Sequence, residues 1–279
     1  MKFRDYLNKN FIGFCAVRKA SRGTTSAGKP YANLQVYDGS EQIMGRIWDY
    51  DGELPAENTV IKVDGTVSTY NGSPQITISQ WRPAQEGEYN PADFMPVYEG
   101  DRDSLMNRLL HYINEIEDTS LQSLVREVIT EKFPQEFYDA PAASRHHHNY
   151  LGGLLEHTVS VAWIATHLAI NQKQTISRDL VIAGALLHDI GKIRAYDWSG
   201  CAIGYSTDGK MIDHIPLGLM MIKPYIEKYL DHDTAQHLIH IIVSHHGLKE
   251  WGSPVEPQTQ EAKIVHLADL ADARLNANQ

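Results

Sequence analysis

The sequence predicts two domains of different fold class, an all-β domain followed by an all-α domain. Its 279 residues are about the length of two average domains. Polar and apolar residues alternate in short segments up to about residue 80, and apolar residues recur at the helical period from about residue 104. The first 90 residues contain 10 basic and 10 acidic side chains and the rest contain 15 and 25, so the formal charge of −10 belongs to the second part. The hydrophobic periodicity and the balance of basic and acidic residues therefore both change near residue 90.

The first domain, residues 1–85, is predicted to be a five-stranded barrel. Its strand segments are rich in β-branched and aromatic residues, and turn dipeptides separate them, of which Asn71-Gly72 is the strongest hairpin motif. Five short strands at this spacing favour a small closed barrel, with the OB-fold as the leading expectation. The predicted strands are 13–17, 31–37, 43–48, 60–67 and 75–78.

Residues 86–103 are predicted to be a linker, because prolines and glycines interrupt both patterns there. The helical domain then extends over residues 104–279. Its apolar residues recur at intervals of three and four, which indicates helices with a buried face. The predicted helices are 104–116, 121–129, 154–170, 179–188, 216–229, 234–244 and 261–275.

Composition excludes several classes of protein. Cys15 and Cys201 are too few for a disulfide framework or a cysteine-based zinc site, and they fit a reducing compartment. The first 20 residues have no secretory pattern and no run of about 18 apolar residues occurs, so we expect a cytoplasmic protein without a membrane partner. The acidic second part makes a poor general surface for nucleic acid. A homo-oligomer is compatible with the sequence, which does not define one.

A basic segment lies between the first two predicted strands. Residues 18–30 contain four basic and no acidic side chains, together with glycine and several Ser and Thr. This composition predicts a mobile loop that either tracks a phosphate backbone or is simply solvated. The aromatic residues at 31, 37, 48 and 70 are available for stacking on bases, and we expect one or two of them to face a ligand. The basic candidates for nucleic-acid binding are Arg18, Lys19, Arg22 and Lys29.

Histidine is concentrated in the second part, where 13 of the 14 histidines lie at or beyond residue 146. Two pairs, His188-Asp189 and His245-His246, each end an apolar helix. Imidazole and carboxylate groups together suit divalent transition metals such as Mn, Fe, Co, Ni or Zn. One helical histidine alone is more often a core or surface residue, but the ordered set predicts a metal site. The candidate ligands are His157, His188, Asp189, His214, His245, His246 and Asp269.

This ordered set resembles the HD superfamily of metal-dependent phosphohydrolases over about residues 145–275. More narrowly, the segments GGLLEHT (152–158), HDIGK (188–192) and SHHG (244–247) followed by EWGSP (250–254) are similar to the YhaM family. That family joins an N-terminal OB-fold to an HD domain and acts as a 3′→5′ exoribonuclease that also cleaves single-stranded DNA. The resemblance therefore spans nearly the whole chain. The chain departs from the family at Asp213, where a glycine usually precedes the third histidine.

The resemblance implies a metal-dependent nuclease that removes 5′-mononucleotides from single-stranded RNA, with single-stranded DNA as a further substrate. It implies two divalent ions, with Mn, Fe, Co or Ni as candidates, that share Asp189. Lys192 resembles a lysine that contacts the scissile phosphate, although it could merely complement the charge of a helix end. Trp251 would be either a platform for a base or a side chain packed under its loop. The first ion would be held by His157, His188, Asp189 and Asp269, and the second by Asp189, His214, His245 and His246.

Two other functions are compatible with the sequence. The chain could be a phosphohydrolase of a small nucleotide with the barrel as a regulatory module. It could also be a nucleic-acid-binding protein whose helical domain has lost catalysis. Salt-dependent affinity for single strands would favour a polymer substrate over a small nucleotide. A preparation that binds no metal and has no activity with Mn²⁺ would favour the binding protein.

Overall fold

The computed structural model describes residues 1–85, 87–144, 148–170, 176–198 and 201–276. Residue 86 of the predicted linker lies outside the described residues, as do 145–147, 171–175, 199–200 and 277–279 of the predicted helical domain. The chain forms two compact units. The first comprises Met1–Pro96 with Trp198–Ala202, and the second comprises Val97–Asp197 with Ile203–Gln279.

The first unit is a closed five-stranded barrel with the strand order β1-β2-β3-β5-β4. Strands β3 and β5 are parallel, and the other neighbouring strands are antiparallel. The predicted all-β OB-type barrel is therefore confirmed. Alternate residues of β2, namely Ala32, Leu34 and Val36, are buried in its interior. The strands are β1 (Asn10–Thr24), β2 (Pro30–Tyr37), β3 (Gln42–Trp48), β4 (Thr59–Tyr70) and β5 (Ser73–Pro83).

A glycine in β4 allows the barrel to close. The register between β4 and β5 shifts between Asp64 and Gly65, which marks a β-bulge. A Cβ at Gly65 would lie 2.5 Å from the backbone oxygen of Thr77, closer than any side chain tolerates. Bulges increase local twist and bend a strand. Gly65 therefore lets β4 bend closely past β5 while it also pairs with β1.

The predicted mobile basic loop at 18–30 is wrong, because most of it is β-structure. Residues 18–24 belong to β1, and the ladder with β2 continues to the pair Thr24 and Pro30. Only residues 25–29 remain as a turn, closed by hydrogen bonds between Thr25 and Lys29. This part of the hairpin is mostly polar and exposed, so no apolar alternation identifies it as a strand.

The second unit is helical, with one short hairpin of β6 (Tyr196–Asp197) and β7 (Gly204–Tyr205). Helix α4 packs against α1, α5 and α10, and it is buried around most of its circumference, which explains its continuous apolar sequence. No described helix is long and apolar enough to cross a bilayer. In the described residues the α-helices are α1 (Arg102–Asn114), α2 (Thr119–Arg126), α3 (Pro134–Asp139), α4 (Gly153–Ile170), α5 (Arg178–Leu187), α6 (Lys192–Ala195), α7 (Thr207–Ile212), α8 (His214–Tyr229), α9 (His232–Ser244) and α10 (Gln260–Leu275).

Side-chain caps fix where several helices begin. Asp231 accepts hydrogen bonds from the backbone N–H groups of Asp233 and Thr234, so α9 begins at His232 rather than at the predicted Thr234. Ser177 and Thr259 cap α5 and α10 in the same way. Such caps satisfy N–H groups that have no partner within the helix. The polar first turn lies outside the apolar periodicity, so the predicted helices begin late.

Candidate metal centre

Five helices bring the seven predicted metal ligands to one buried place. His157 lies in the second turn of α4, and His188 and Asp189 follow directly after α5. The other four lie at the start of α8, after α9 and in α10, and all seven are buried apart from partly exposed His246 and Asp269. These residues are His157, His188, Asp189, His214, His245, His246 and Asp269.

One oxygen of Asp189 faces the first proposed ligand set. Its Oδ2 lies 3.2 Å from Nε2 of His157 and 3.3 Å from Nε2 of His188. Oδ1 of Asp269 lies 3.2 Å from the same Nε2 of His157. Two imidazole nitrogens and two carboxylate oxygens therefore converge within the space that one cation and its ligands occupy.

The other oxygen of Asp189 faces the second proposed set. Its Oδ1 lies 3.4 Å from Nε2 of His214 and 3.6 Å from Nε2 of His245. The ring of His246 lies 4.4 Å from the ring of His245 and 5.0 Å from that of His214. Oδ1 of Asp189 and the two Nε2 atoms are buried and have no hydrogen-bond partner. Buried polar atoms without partners are costly, and a cation between these three atoms would satisfy them all.

The five histidines are oriented by the same device. In each of them Nδ1 lies 2.7 or 2.8 Å from an oxygen atom, which leaves Nε2 facing the centre. Such hydrogen bonds fix the ring orientation and the tautomer of metal-binding histidines. The acceptors are Asp272 for His157, the Ala185 carbonyl for His188, Asp213 for His214, the Ile242 carbonyl for His245 and the Trp251 carbonyl for His246.

The electrostatics of the centre favour the protonation states that most of these ligands need. Burial raises the pKa of Asp189, but Lys192, His188 and His157 outweigh it and hold that pKa well below its usual range. Burial and the neighbouring His246 and His188 lower the pKa of His245 well below its usual value. An ionised carboxylate and a neutral imidazole are the forms that bind cations. The donor set therefore fits divalent transition metals.

Lys192 and Trp251 both contact this centre, in different ways. Nζ of Lys192 lies 2.5 Å from Oδ2 of Asp189, at the start of α6. The backbone oxygen of Trp251 accepts the hydrogen bond from His246, while 46% of the tryptophan is exposed. The loop after α9 therefore presents the Trp251 ring to solvent, while its backbone orients the candidate ligand His246.

Asp213 and Asp272 each orient one of the candidate ligands. Asp272 follows Asp269 by three residues and so lies on the same face of α10, where its Oδ2 lies 2.7 Å from Nδ1 of His157. Oδ1 of Asp213 accepts hydrogen bonds from both the backbone N–H and the Nδ1 of His214. The spacing of Asp272 was an available indication, whereas Asp213 stood out only as a departure from the family pattern.

Three of the four basic candidates in the barrel unit are bound to local partners. Arg18 donates hydrogen bonds to the backbone oxygens of Phe94 and Cys201, each at 2.7 Å. Arg22 donates to two backbone oxygens of residues 51 and 52. Lys29 pairs with Asp49 at 3.1 Å, and Lys19 is exposed on β1. The arrangement is a braced hairpin rather than a free basic loop.

The outer face of β2 and β3, together with the last residue of β4, carries a cluster of aromatic side chains around one arginine. Tyr31 and Trp48 are cross-strand partners with ring centroids 5.2 Å apart. The guanidinium of Arg46 lies 5.2 Å from the Trp48 ring and 5.7 Å from the Tyr70 ring. Trp48 and Tyr70 are 44% and 55% exposed, whereas Tyr37 is covered by Arg18 at 5.0 Å. We call Tyr31, Arg46, Trp48 and Tyr70 the aromatic face.

Comparison with known proteins agrees with this geometry. The family model described as HD domain matches residues 154–274. A protein of Oceanobacillus iheyensis named 3′-5′ exoribonuclease YhaM is 36% identical over 97% of this chain and 86% of its own length. The protein of the same name from Bacillus subtilis is 33% identical over 94% of this chain and 84% of its own length. A solved structure of a Replication Protein A heterotrimer bound to ssDNA is 26% identical over 28% of this chain and 58% of that chain, with a TM-score of only 0.24. This chain belongs to the YhaM family.

Proposed function

We propose that this chain is a divalent-metal-dependent 3′→5′ exoribonuclease that removes 5′-mononucleotides from single-stranded RNA. The observation that carries the proposal is the placement of Asp189, whose two oxygens face two separate sets of imidazole nitrogens. The relatives' name supports RNA as the substrate and 3′→5′ as the direction. Both cysteines are free and buried, which supports a reducing compartment such as the cytoplasm.

Two cations are proposed, one in each ligand set, with Asp189 as the shared ligand. Divalent cations held there would supply Lewis-acid stabilisation of the phosphate charge and a more acidic water. The chain's own residues hold and orient these ions, and Lys192 adds a buried positive charge beside Asp189. That charge would help to neutralise the reacting phosphate. We assign the catalytic roles to Asp189 and Lys192.

The single strand is proposed to bind on the aromatic face of the barrel. Exposed rings next to a guanidinium provide base stacking and phosphate attraction without dependence on sequence. OB-folds bind oligonucleotides on the face of strands 2 and 3, where Tyr31, Arg46 and Trp48 lie. Of the basic candidates, exposed Lys19 is the one we retain for phosphate contact, and Trp251 is proposed as a base platform near the ions.

A single degradation assay tests the proposal. RNA labelled at its 5′ end is incubated with the protein and Mn²⁺, with and without chelator, beside the variants Asp189→Asn and Asp233→Asn. We expect a ladder that shortens from the 3′ end, lost with chelator and in Asp189→Asn. Asp233→Asn, which changes an exposed acid on α9, should match the unaltered protein.

Other outcomes, taken with companion measurements of nucleotide hydrolysis, RNA binding and bound metal, would contradict the proposal. An intact RNA band in every lane, with hydrolysis of free nucleotides instead, would establish the small-nucleotide reading. Intact RNA together with tight, salt-dependent RNA binding and no bound metal would establish a binding protein. A parallel lane with labelled single-stranded DNA measures the preference between the two polymers.

A further inference from the structure

His148 is a buried histidine that belongs to neither proposed ligand set. Only 4% of it is exposed, and its backbone is left-handed with φ 57°. Its Nε2 lies 2.9 Å from Oδ2 of Asp272. Its Nδ1 lies 2.8 Å from Oε2 of Glu156 and 2.9 Å from the hydroxyl of Tyr150. Both ring nitrogens therefore face carboxylates within hydrogen-bonding distance.

Asp272 connects His148 to the metal centre. The same oxygen, Oδ2, that contacts Nε2 of His148 lies 2.7 Å from Nδ1 of His157. The other oxygen of Asp272 accepts a hydrogen bond from the Asn276 amide at 3.0 Å. Asp272 is itself 1% exposed. The chain of contacts thus runs from Glu156 through His148 and Asp272 to His157.

Gly153, at the start of α4, leaves room for the backbone of His148. A Cβ at Gly153 would lie 2.2 Å from the backbone oxygen of His148, so only glycine fits there. Gly152 has φ +83°, a conformation that side chains rarely adopt. The backbone oxygen of His148 also accepts a hydrogen bond from the Ala142 N–H. Gly153 therefore lets the backbone of His148 lie close to the start of α4, while the His148 side chain contacts Asp272.

We propose that His148 is a positioning residue of the metal centre, which fixes Asp272 so that Asp272 holds the His157 ring in the orientation that binds a cation. The inference rests on the proposed metal site and adds a residue to it. Buried partners of metal-binding histidines typically change metal affinity by about 10- to 100-fold when they are removed. His148 acts one step farther away, so we expect an effect near the lower end of that range.

The alternative to a positioning role is that His148 binds a cation directly. Side-chain atoms of His148, His157 and Asp272 lie close enough together to hold an ion. However, a cation there would have to replace the contacts of Asp272 with both histidines, and His157 would have to bind one ion through each nitrogen. Both ring nitrogens of His148 already lie within 2.9 Å of carboxylate oxygens of Asp272 and Glu156, which leaves neither nitrogen directed at an open site. The geometry favours positioning.

The test is a thermodynamic cycle for Mn²⁺ binding in the full-length chain. Free Mn²⁺ is followed by its electron paramagnetic resonance spectrum in titrations of the unaltered protein, His148→Ala, Asp272→Asn and the double variant. We expect about tenfold weaker binding for His148→Ala. If His148 acts through Asp272, the double variant should bind no more weakly than Asp272→Asn. His167→Ala, which removes an exposed histidine of α4, the helix that carries His157, is the matched control and should bind as the unaltered protein does.

Added imidazole gives a readout that a merely structural role would not move. A cavity of about 210 Å³ lies beside the chain of contacts, and Arg108, Trp163, His148 and Asp272 are among its lining residues. Imidazole that enters the space left in His148→Ala should restore Mn²⁺ binding, but it should not do so in Asp272→Asn. If His148→Ala does not fold, Glu156→Gln carries the test, with weaker Mn²⁺ binding supporting the inference and unchanged binding overturning it.

The outcomes separate this inference from the proposed function. If the unaltered protein binds no Mn²⁺, both fail. If it binds Mn²⁺ and degrades RNA but His148→Ala binds equally well, only the role of His148 is overturned. Multiplying losses in the double variant would also overturn it, because His148 would then act independently of Asp272. Loss of one bound ion per chain in His148→Ala, without rescue by imidazole, would establish direct ligation instead.

Discussion

At the scale of single residues, Asp213 combines an unfavourable backbone with two favourable hydrogen bonds. Its φ of 70° and ψ of 163° fall in a region that is nearly specific to glycine. Its Oδ1 nevertheless accepts from the backbone N–H of His214 at 2.6 Å and from Nδ1 at 2.7 Å. A conformation of this kind costs about 1–3 kcal/mol and persists only where the surroundings enforce it. Asp213 therefore orients His214 at the cost of a strained backbone conformation.

Replacing Asp213 by glycine should separate stability from metal binding. Asp213→Gly removes the strain, so we expect thermal stability without metal to stay equal or rise. It also removes the acceptor for Nδ1 of His214, so we expect Mn²⁺ affinity to fall about tenfold. Asp213→Asn keeps an acceptor oxygen and should retain most of the affinity. Equal Mn²⁺ affinity in Asp213→Gly would show that His214 needs no side-chain partner.

Residue type and position were sufficient to predict that the seven candidate ligands share one centre, because histidines and aspartates at the ends of apolar helices point toward it. The partners of Nδ1 were not predictable in the same way. Those of His188 and His245 are the carbonyls of Ala185 and Ile242, three residues earlier in the helix. Every residue has a carbonyl, so no letter in the sequence identifies these acceptors.

At the scale of elements, the β1–β2 hairpin shows what the sequence could not indicate. Ladder hydrogen bonds extend both strands beyond the apolar core, and polar residues there have the composition of a loop. The barrel itself was predictable, because alternating apolar residues and the Asn71-Gly72 turn define its strands. Helices longer than about three turns were also predictable. The short helices α3, α6 and α7 were missed, since they contain too few apolar residues to show a period.

Arg18 is expected to stabilise the barrel unit rather than bind RNA. Arg18→Gln removes charged hydrogen bonds to the backbone oxygens of Phe94 and Cys201. Buried acceptors left without partners cost about 1–3 kcal/mol, so the midpoint of denaturant unfolding should decrease. The salt dependence of RNA affinity should be unchanged, because no phosphate contact is lost. If RNA affinity depended less steeply on salt concentration in this variant, Arg18 would be shown to contact RNA.

The aromatic face is expected to supply much of the affinity for single strands. Stacking contributes about 1–3 kcal/mol per base, so Trp48→Ala should weaken RNA binding by roughly 5- to 150-fold. Binding is measured by fluorescence anisotropy of a labelled oligonucleotide without metal, so that no cleavage occurs. Trp163→Ala removes an exposed tryptophan of α4 and is the control. If Trp48→Ala and Trp163→Ala have the same small effect, the strand binds elsewhere.

At the scale of the whole molecule, proton and cation compete for the centre. Burial opposes the charged form of His157, but Asp189, Asp269 and Asp272 outweigh it and raise the pKa of His157 well above its usual value. Without metal, His157 therefore carries a proton that a cation must displace. Affinity should rise with pH as long as His157 is protonated and fall as pH decreases.

Mn²⁺ titrations between about pH 6 and pH 8 test whether the affinity rises with pH. We expect affinity to increase by up to about tenfold per pH unit, with release of a proton into a weakly buffered solution on addition of Mn²⁺. Asp272→Asn removes one of the charges that stabilise the proton, so its affinity should depend less steeply on pH. An affinity that does not change over this range, with no proton released, would contradict the argument.

Closure of the barrel limits which groups of the protein can contact a nucleic-acid strand. Because β1 pairs with both β2 and β4 and β3 pairs with β5, the closed ring of the described strands leaves no gap between strands where another backbone could add, although β1 beyond residue 17 is paired on one side alone, with β2. Contact with a ligand is therefore left to side chains on the outside, and aromatic rings accept any of the four bases. An enzyme that shortens RNA one nucleotide at a time meets every sequence in turn. A surface that is indifferent to base identity allows it to move through all of them without stalling at any particular one.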